Sequence, residues 1–149
     1  HFSWRNNNVS VYKAFKHQHL GEISQSLQQL QSGLQQPINF IPVRGNFSRG
    51  IMASVYTECD WSLEQAQTYY QAYYQDHPFV HLSDTNPDLK QVVNTNKGLL
   101  YLEKHDNKLL IISMIDNLLK GASGQAVQNL NLAAGWDETA GLKLKSIGF

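Results

Sequence analysis

Residues 98–115 read GLLYLEKHDNKLLIISMI, and no other stretch constrains the fold of this chain so tightly. Two apolar runs stand on either side of the short polar turn HDNK. A turn this short joins neighbouring antiparallel strands, because a parallel return needs a crossover of about a dozen residues or more. The chain therefore has a sheet with an antiparallel pair in it. VSVYKAF (9–15), INFIPVRG (38–45) and GIMASVYTEC (50–59) have strand-like patterning, the last two divided by the loop GNFSR. VHLSD and QVVNTN add short strands around the turn NPDLK.

Three segments carry the helical period. Ile23, Leu27, Leu30 and Leu34 mark one face of a helix that opens at Gly21-Glu22 and ends near Gly33. In DWSLEQAQTYYQAYYQDHPF (60–79), Ser62 is the N-cap, helped by Glu64, and the helix runs to about Gln75. Its tyrosines at 69, 70, 73 and 74 form a broad aromatic face to pack on a sheet. The last helix begins between Asp116 and Ala122 and stops about Gly135; the tail 136–149 returns along the surface or pairs at an edge. Together these elements predict an α+β fold, a mainly antiparallel or mixed sheet with helices on one face. The other face then meets water, a partner subunit or another domain.

A chain of 149 residues, 42% of them apolar, suffices for a sizeable core. Twelve Lys and Arg against twelve Asp and Glu leave no basic excess for phosphate contacts, which argues against nucleic-acid binding. A single cysteine, Cys59, excludes an intrachain disulfide and a thiolate-only metal site, and implies an intracellular protein. The apolar runs are too short for a membrane span, and HFSWRNNN lacks the pattern of a signal peptide. A start at His1 without methionine suggests a processed or excised chain.

Three clusters are candidates for chemistry. In KHQHLGEI (16–23), His17 and His19 share a face if the segment is extended, with Glu22 close by at a helix start. A histidine oriented by a carboxylate suits a general acid or base near neutral pH; a pair of exposed loop histidines is the plain alternative. No third ligand accompanies them, so no metal site is expected. Arg44 and Arg49 flank a turn with glycines, and their forks suit a carboxylate or phosphoryl group, although ordinary surface arginines look the same in sequence. Asp116 and Asn117 precede LLKGASGQ, where a helix N-terminus and Lys120 favour an anion; close helix packing through small residues is the alternative. Neither a P-loop nor a dinucleotide-binding glycine fingerprint is present. Cys59 has no nearby partner that would make it a nucleophile.

IDNLLKGASGQAVQNLNL, followed by the Gly141-Leu142 pair, closely resembles the C-terminal signature of the N-acetyl-gamma-glutamyl-phosphate reductase family, relatives of aspartate-semialdehyde dehydrogenase. HQHLGEI resembles that family's H-R-H-x-P-E-I segment, and SRGIMASVY its R-G-I-x-x-T-x-Y strand; YYQDHPFV and NTN fall in the same order. Gln18 in place of arginine, Leu20-Gly21 in place of threonine–proline and Arg44 near a usual histidine are departures from the pattern. The resemblance implies a glyceraldehyde-3-phosphate dehydrogenase-like C-terminal domain over residues 1–115, for substrate binding and dimerisation. It also implies that residues 116–149 are a helix and tail completing an absent N-terminal Rossmann domain.

That absent domain would hold NADP and the catalytic cysteine, a role the resemblance does not pass to Cys59. His19, with His17 as the other candidate, would be the acid/base, oriented by Glu22. Arg49 and Arg44 would hold the small acyl-phosphate substrate; Asn117, Lys120 and Gly121 would line the nicotinamide side. A cytoplasmic homo-oligomer, inactive without its missing half, is expected. The alternative is a non-catalytic interaction module that dimerises through the open sheet face. In either case the stripe Leu118, Ala122, Ala126, Val127, Leu130 and Ala133 would lack its natural cover and be mobile or packed against another molecule.

Overall fold

A computed structural model describes residues 2–146. In chain order come α1 (Phe2–Arg5), β1 (Ser10–Val11), α2 (His19–Leu30), β2 (Val43–Arg44), β3 (Ile51–Glu58), α3 (Leu63–Tyr74) and β4 (Val80–Leu82). A 3-10 turn (Leu89–Gln91), β5 (Gly98–His105), β6 (Lys108–Ile115), a π-helical turn (Leu119–Ser123) and α4 (Gly124–Ala133) follow. The chain divides into two compact units, His1–Ser48 and Arg49–Phe149.

The second unit is built on the expected hairpin. β5 and β6 pair antiparallel around Asp106-Asn107, where Asp106 takes a φ of 48°. β3 pairs antiparallel with β6 and β4 parallel with β5, giving a mixed four-stranded sheet in the order β3-β6-β5-β4. Alternation puts Leu82, Leu102, Leu109 and Ile111 on one face, and α3 lies there with Leu63, Ala66 and Tyr70 inward. Ala66 has no exposed surface, so nothing larger fits between helix and sheet at that point. Burying each leucine of this layer contributes about 1.5–3 kcal/mol. Only part of the tyrosine face joins it: Tyr70 packs on the core, whereas Tyr69 and Tyr73 point outward, 57% and 61% exposed. The opposite sheet face is also apolar, with Leu99, Tyr101, Leu110 and Ile112 left partly open. β3 is exposed along its whole length.

The helix of residues 63–74 begins as expected at Ser62, but through a different partner. Ser62 Oγ accepts from the Gln65 N–H at 3.1 Å, and Gln65 Oε1 accepts from the Ser62 N–H at 2.9 Å, a reciprocal capping box. Glu64 contributes only charge in the first turn. QVVNTN is not a strand. Consecutive Val92 and Val93 are both buried, which two-fold alternation forbids in a sheet open on one side, and Asn94 turns the chain at a φ of 61°.

The first unit is thin. β1 and β2 pair over two residues each, Ser10 with Arg44 and Val11 with Val43, and α2 buries none of its residues. The strand expected at 9–15 stops early because Lys13 and Phe15 adopt φ of 46° and 58°. INFIPVRG contributes only Val43 and Arg44. α2 starts at His19, two residues before the Gly21 expected, and ends at Leu30.

The C-terminal helix is α-helical only from Gly124, and its burial is inverted. Gly124 and Asn131 are its buried residues, while Leu130 and Leu132 are more than half exposed. Leu118, Ala122, Ala126, Val127 and Ala133 are exposed as well, so the expected stripe is not covered by the chain's own sheet. The tail folds back through hydrogen bonds from Asn131 Nδ2 to the Glu138 and Ala140 carbonyls, and Leu142 is buried. No strand forms in the tail among the described residues, and residues 147–149 of that expectation lie outside them.

Candidate functional site

In the first unit the histidines sit in an aromatic cluster. His17 lies just before α2 and His19 is the first residue of the helix, so the pair is not in an extended segment as expected. Their rings meet edge-on with centroids 4.6 Å apart, and His17 Nδ1 accepts from the His19 backbone N–H at 3.3 Å. That contact fixes the Nε2–H tautomer on neutral His17. Tyr12 and Phe40 close on His17 from two more sides, at 5.6 and 5.3 Å. Partial burial, then electrostatic repulsion from His19 and Lys13, lowers the His17 pKa below the ordinary histidine value.

Arg44 is drawn into the same cluster, its guanidinium 3.9 Å above the Tyr12 ring centroid. Glu22 stands one turn after His19, on the same side of α2, with no hydrogen bond between them among the described residues. Tyr12 and Phe40 were missed as site residues. Their signal in sequence is weak, since either reads as an ordinary strand aromatic.

In the second unit the organising group is Asp116. Its side chain is fully buried, and it accepts five N–H groups. Arg49 donates Nε and Nη2, at 3.3 and 2.9 Å; Asn94, Leu118 and Leu119 donate backbone N–H groups at 2.7, 2.8 and 2.9 Å. Burial pushes the carboxyl upward, but the Arg49 pair and the backbone donors outweigh it and hold the group below its usual range. Asn117 Oδ1 accepts the Gly50 N–H at 2.7 Å. The start of the last helix therefore holds an anion, but one from its own chain. The N–H groups of Leu118 and Leu119 are filled by Asp116, which corrects the expectation of a site there for an external anion.

Lys120 is also turned away from that start. Its Nζ donates to Gln128 Oε1 at 2.6 Å, and Gln128 in turn donates to Glu138 at 2.6 Å. Burial lowers the Lys120 pKa, and Glu138 acts in the opposite direction. What approaches the glycine-rich segment is Asn96. A Cβ on Gly124 would lie 1.7 Å from Asn96 Oδ1, and one on Gly121 would lie 3.3 Å from the Asp116 carbonyl. Close packing through small residues is thus the local role of both glycines. The N–H groups of Leu118 and Leu119 are thus not open to a pyrophosphate, and the side-chain NH2 of Asn117 has no hydrogen-bond partner among the described residues. Among the described residues no cluster of metal-ligating side chains occurs. Cys59 is a half-buried free thiol against the α3 core. No described helix is long and apolar enough to cross a membrane.

Residues 1–117 match the sequence profile of the semialdehyde dehydrogenase dimerisation domain. The whole chain is 64% identical to an N-acetyl-gamma-glutamyl-phosphate reductase of Parabacteroides distasonis and to another of Azobacteroides pseudotrichonymphae. It is 58% identical to that of Flavobacterium johnsoniae. In each case all of this chain aligns with 46% of the relative, so the chain spans about half the length of these proteins.

Proposed function

The chain belongs to the semialdehyde dehydrogenase dimerisation-domain family, and from that premise we propose that it is the C-terminal half of an NADPH-dependent acyl-phosphate reductase. The reaction is reduction of N-acetyl-5-glutamyl phosphate to N-acetylglutamate 5-semialdehyde with release of phosphate, a step of arginine biosynthesis in the cytoplasm. The observation that carries this reading is identity of 64% sustained over every residue of the chain with reductases of that name.

The activity needs a second half. NADPH supplies hydride when bound, and a nucleophilic cysteine comes from the portion of the protein outside this chain. Residues 1–115 serve substrate binding and dimerisation, and residues 116–149 complete the nucleotide domain. The inverted burial of α4 supports that division, because Leu130 and Leu132 turned to water want an apolar partner. The partly open apolar face of the four-stranded sheet suits a second copy of the chain.

Among this chain's own residues, a histidine of the His17/His19 pair passes the proton to and from the substrate carbonyl oxygen. His19 is the better placed of the two, because His17 has one ring nitrogen committed to the His19 N–H. Glu22 supports it electrostatically. Arg49 and Arg44 bind the substrate oxyanions, and Asn117 with Gly121 and Lys120 borders the nicotinamide.

The test is NADPH oxidation with N-acetyl-5-glutamyl phosphate, run on this fragment and on the full-length gene product. Turnover by the full-length protein alone supports the reading. Two folded but inactive proteins would leave a non-catalytic dimerisation module, the reading that the open sheet face would then favour.

A further inference from the structure

We infer that Asp116 is the positioning residue for Arg49: it grips one edge of the guanidinium from the buried side, so that the other edge is presented in a fixed pose to a substrate oxyanion. The inference rests on the proposed substrate role of Arg49. Asp116 engages Nε and Nη2, and among the described residues Nη1 has no hydrogen-bond partner. A quarter of the Arg49 side chain is exposed (25%), against none of Asp116. The guanidinium is thus tied by a bidentate pair on one side and open on the other.

The grip is rigid at both ends. Backbone donors from Asn94, Leu118 and Leu119 hold the carboxylate, so it cannot follow the arginine outward. Those donors also share its negative charge, which leaves the outer edge of the guanidinium electropositive although the pair is formally neutral. The backbone of Arg49 is restrained next door. Gly50 has a φ of 111°, gives its N–H to Asn117, and carries the Leu89 methyls 2.6 Å from where a Cβ would stand. A guanidinium ordered before binding loses little rotamer entropy when the oxyanion arrives, and that saving appears as affinity.

The experiment is steady-state kinetics of the full-length gene product carrying D116N, R49Q or both. The expected result is a KM for the acyl phosphate raised about tenfold by R49Q and several-fold by D116N, with KM for NADPH unchanged and kcat within about threefold. The double variant should raise KM no further than R49Q alone, because Asp116 acts on substrate binding through Arg49. If D116N lowers kcat and folded fraction while KM stays put, Asp116 is merely structural and the inference fails. If R49Q leaves KM unchanged, the substrate role of Arg49 fails first, an outcome distinct from a D116N failure. Should D116N not fold, D116E keeps the charge and displaces the carboxylate by one methylene, with the same KM rise expected. Failure of both to fold would assign Asp116 to the fold alone and overturn the inference.

Discussion

Asp116 and His17 are both titratable groups whose surroundings lower their pKa, and the chain treats them in different ways. Asp116 is fully buried and keeps its charge, because five N–H groups converge on it. His17 is only partly covered, by rings that offer it no charge partner, and its charged form is disfavoured. One site is defined by directional bonds across long stretches of sequence, the other by loose edge-on contacts within a thin unit. A group held by bonds can position something else. A group held by ring edges has no such bonds, and its lowered pKa marks the cost of charging it there.

The sharpest way to break this contrast is D116A, which leaves the Arg49 guanidinium half-buried and unpaired. We expect a loss of about 3–5 kcal/mol, read from denaturant unfolding. A loss below 1 kcal/mol would mean that the buried network does not hold the second unit together. G124A comes next. The added methyl collides with the Asn96 side chain and with the Leu119 carbonyl 2.8 Å away, and a cost of about 1–3 kcal/mol is expected with lowered hydrogen-exchange protection in α4.

Acid should separate the two sites. A depressed carboxyl stabilises the fold fully above its unfolded value of 3.8, and that contribution is lost as pH falls through the lower folded value. A depressed histidine behaves alike in sign but in a higher window, its contribution present above 6.5 and fading as pH falls toward the folded value. Titration followed by NMR should therefore show the first unit responding between neutrality and mild acid, with the amides of Asn94, Leu118 and Leu119 unmoved until far lower pH. The smallest effect expected is that of R44A, about 0.5–1 kcal/mol from the lost stacking on Tyr12. A larger loss would show that the aromatic cluster, and not the two-residue ladder, organises the first unit.

What was legible in the sequence follows the same divide between local and distant contacts. The hairpin of β5 and β6 and the Ser62 start of α3 are written in adjacent residues, and both formed where their patterns put them. The residue that completes the cap is Gln65, next to the Glu64 that the sequence suggested, because the two stand side by side and either suits a helix start by type. QVVNTN has strand composition, yet its backbone bends at Asn94 to reach Asp116, a partner 22 residues away that periodicity cannot reveal. Arg49 and Asp116 were each noticed singly; their pairing spans 67 residues and leaves no trace in spacing. For His17 the proximity to His19 was readable, but the Tyr12 and Phe40 rings around it were not, since left-handed residues at 13 and 15 break the strand that the alternation suggested.

β3 is exposed on both faces along its whole length, and it pairs with β6, a strand that lies beyond α3, β4 and β5 in the chain. On a ribosome adding roughly 5–20 residues per second, β3 leaves the exit tunnel seconds before its neighbour exists. During that interval an eight-residue strand with Ile51, Met52, Val55 and Tyr56 waits without a hydrogen-bonding mate. The order of synthesis thus leaves this strand's edge unpaired until β6 emerges, an aggregation hazard that belongs to the growing chain and not to the finished fold.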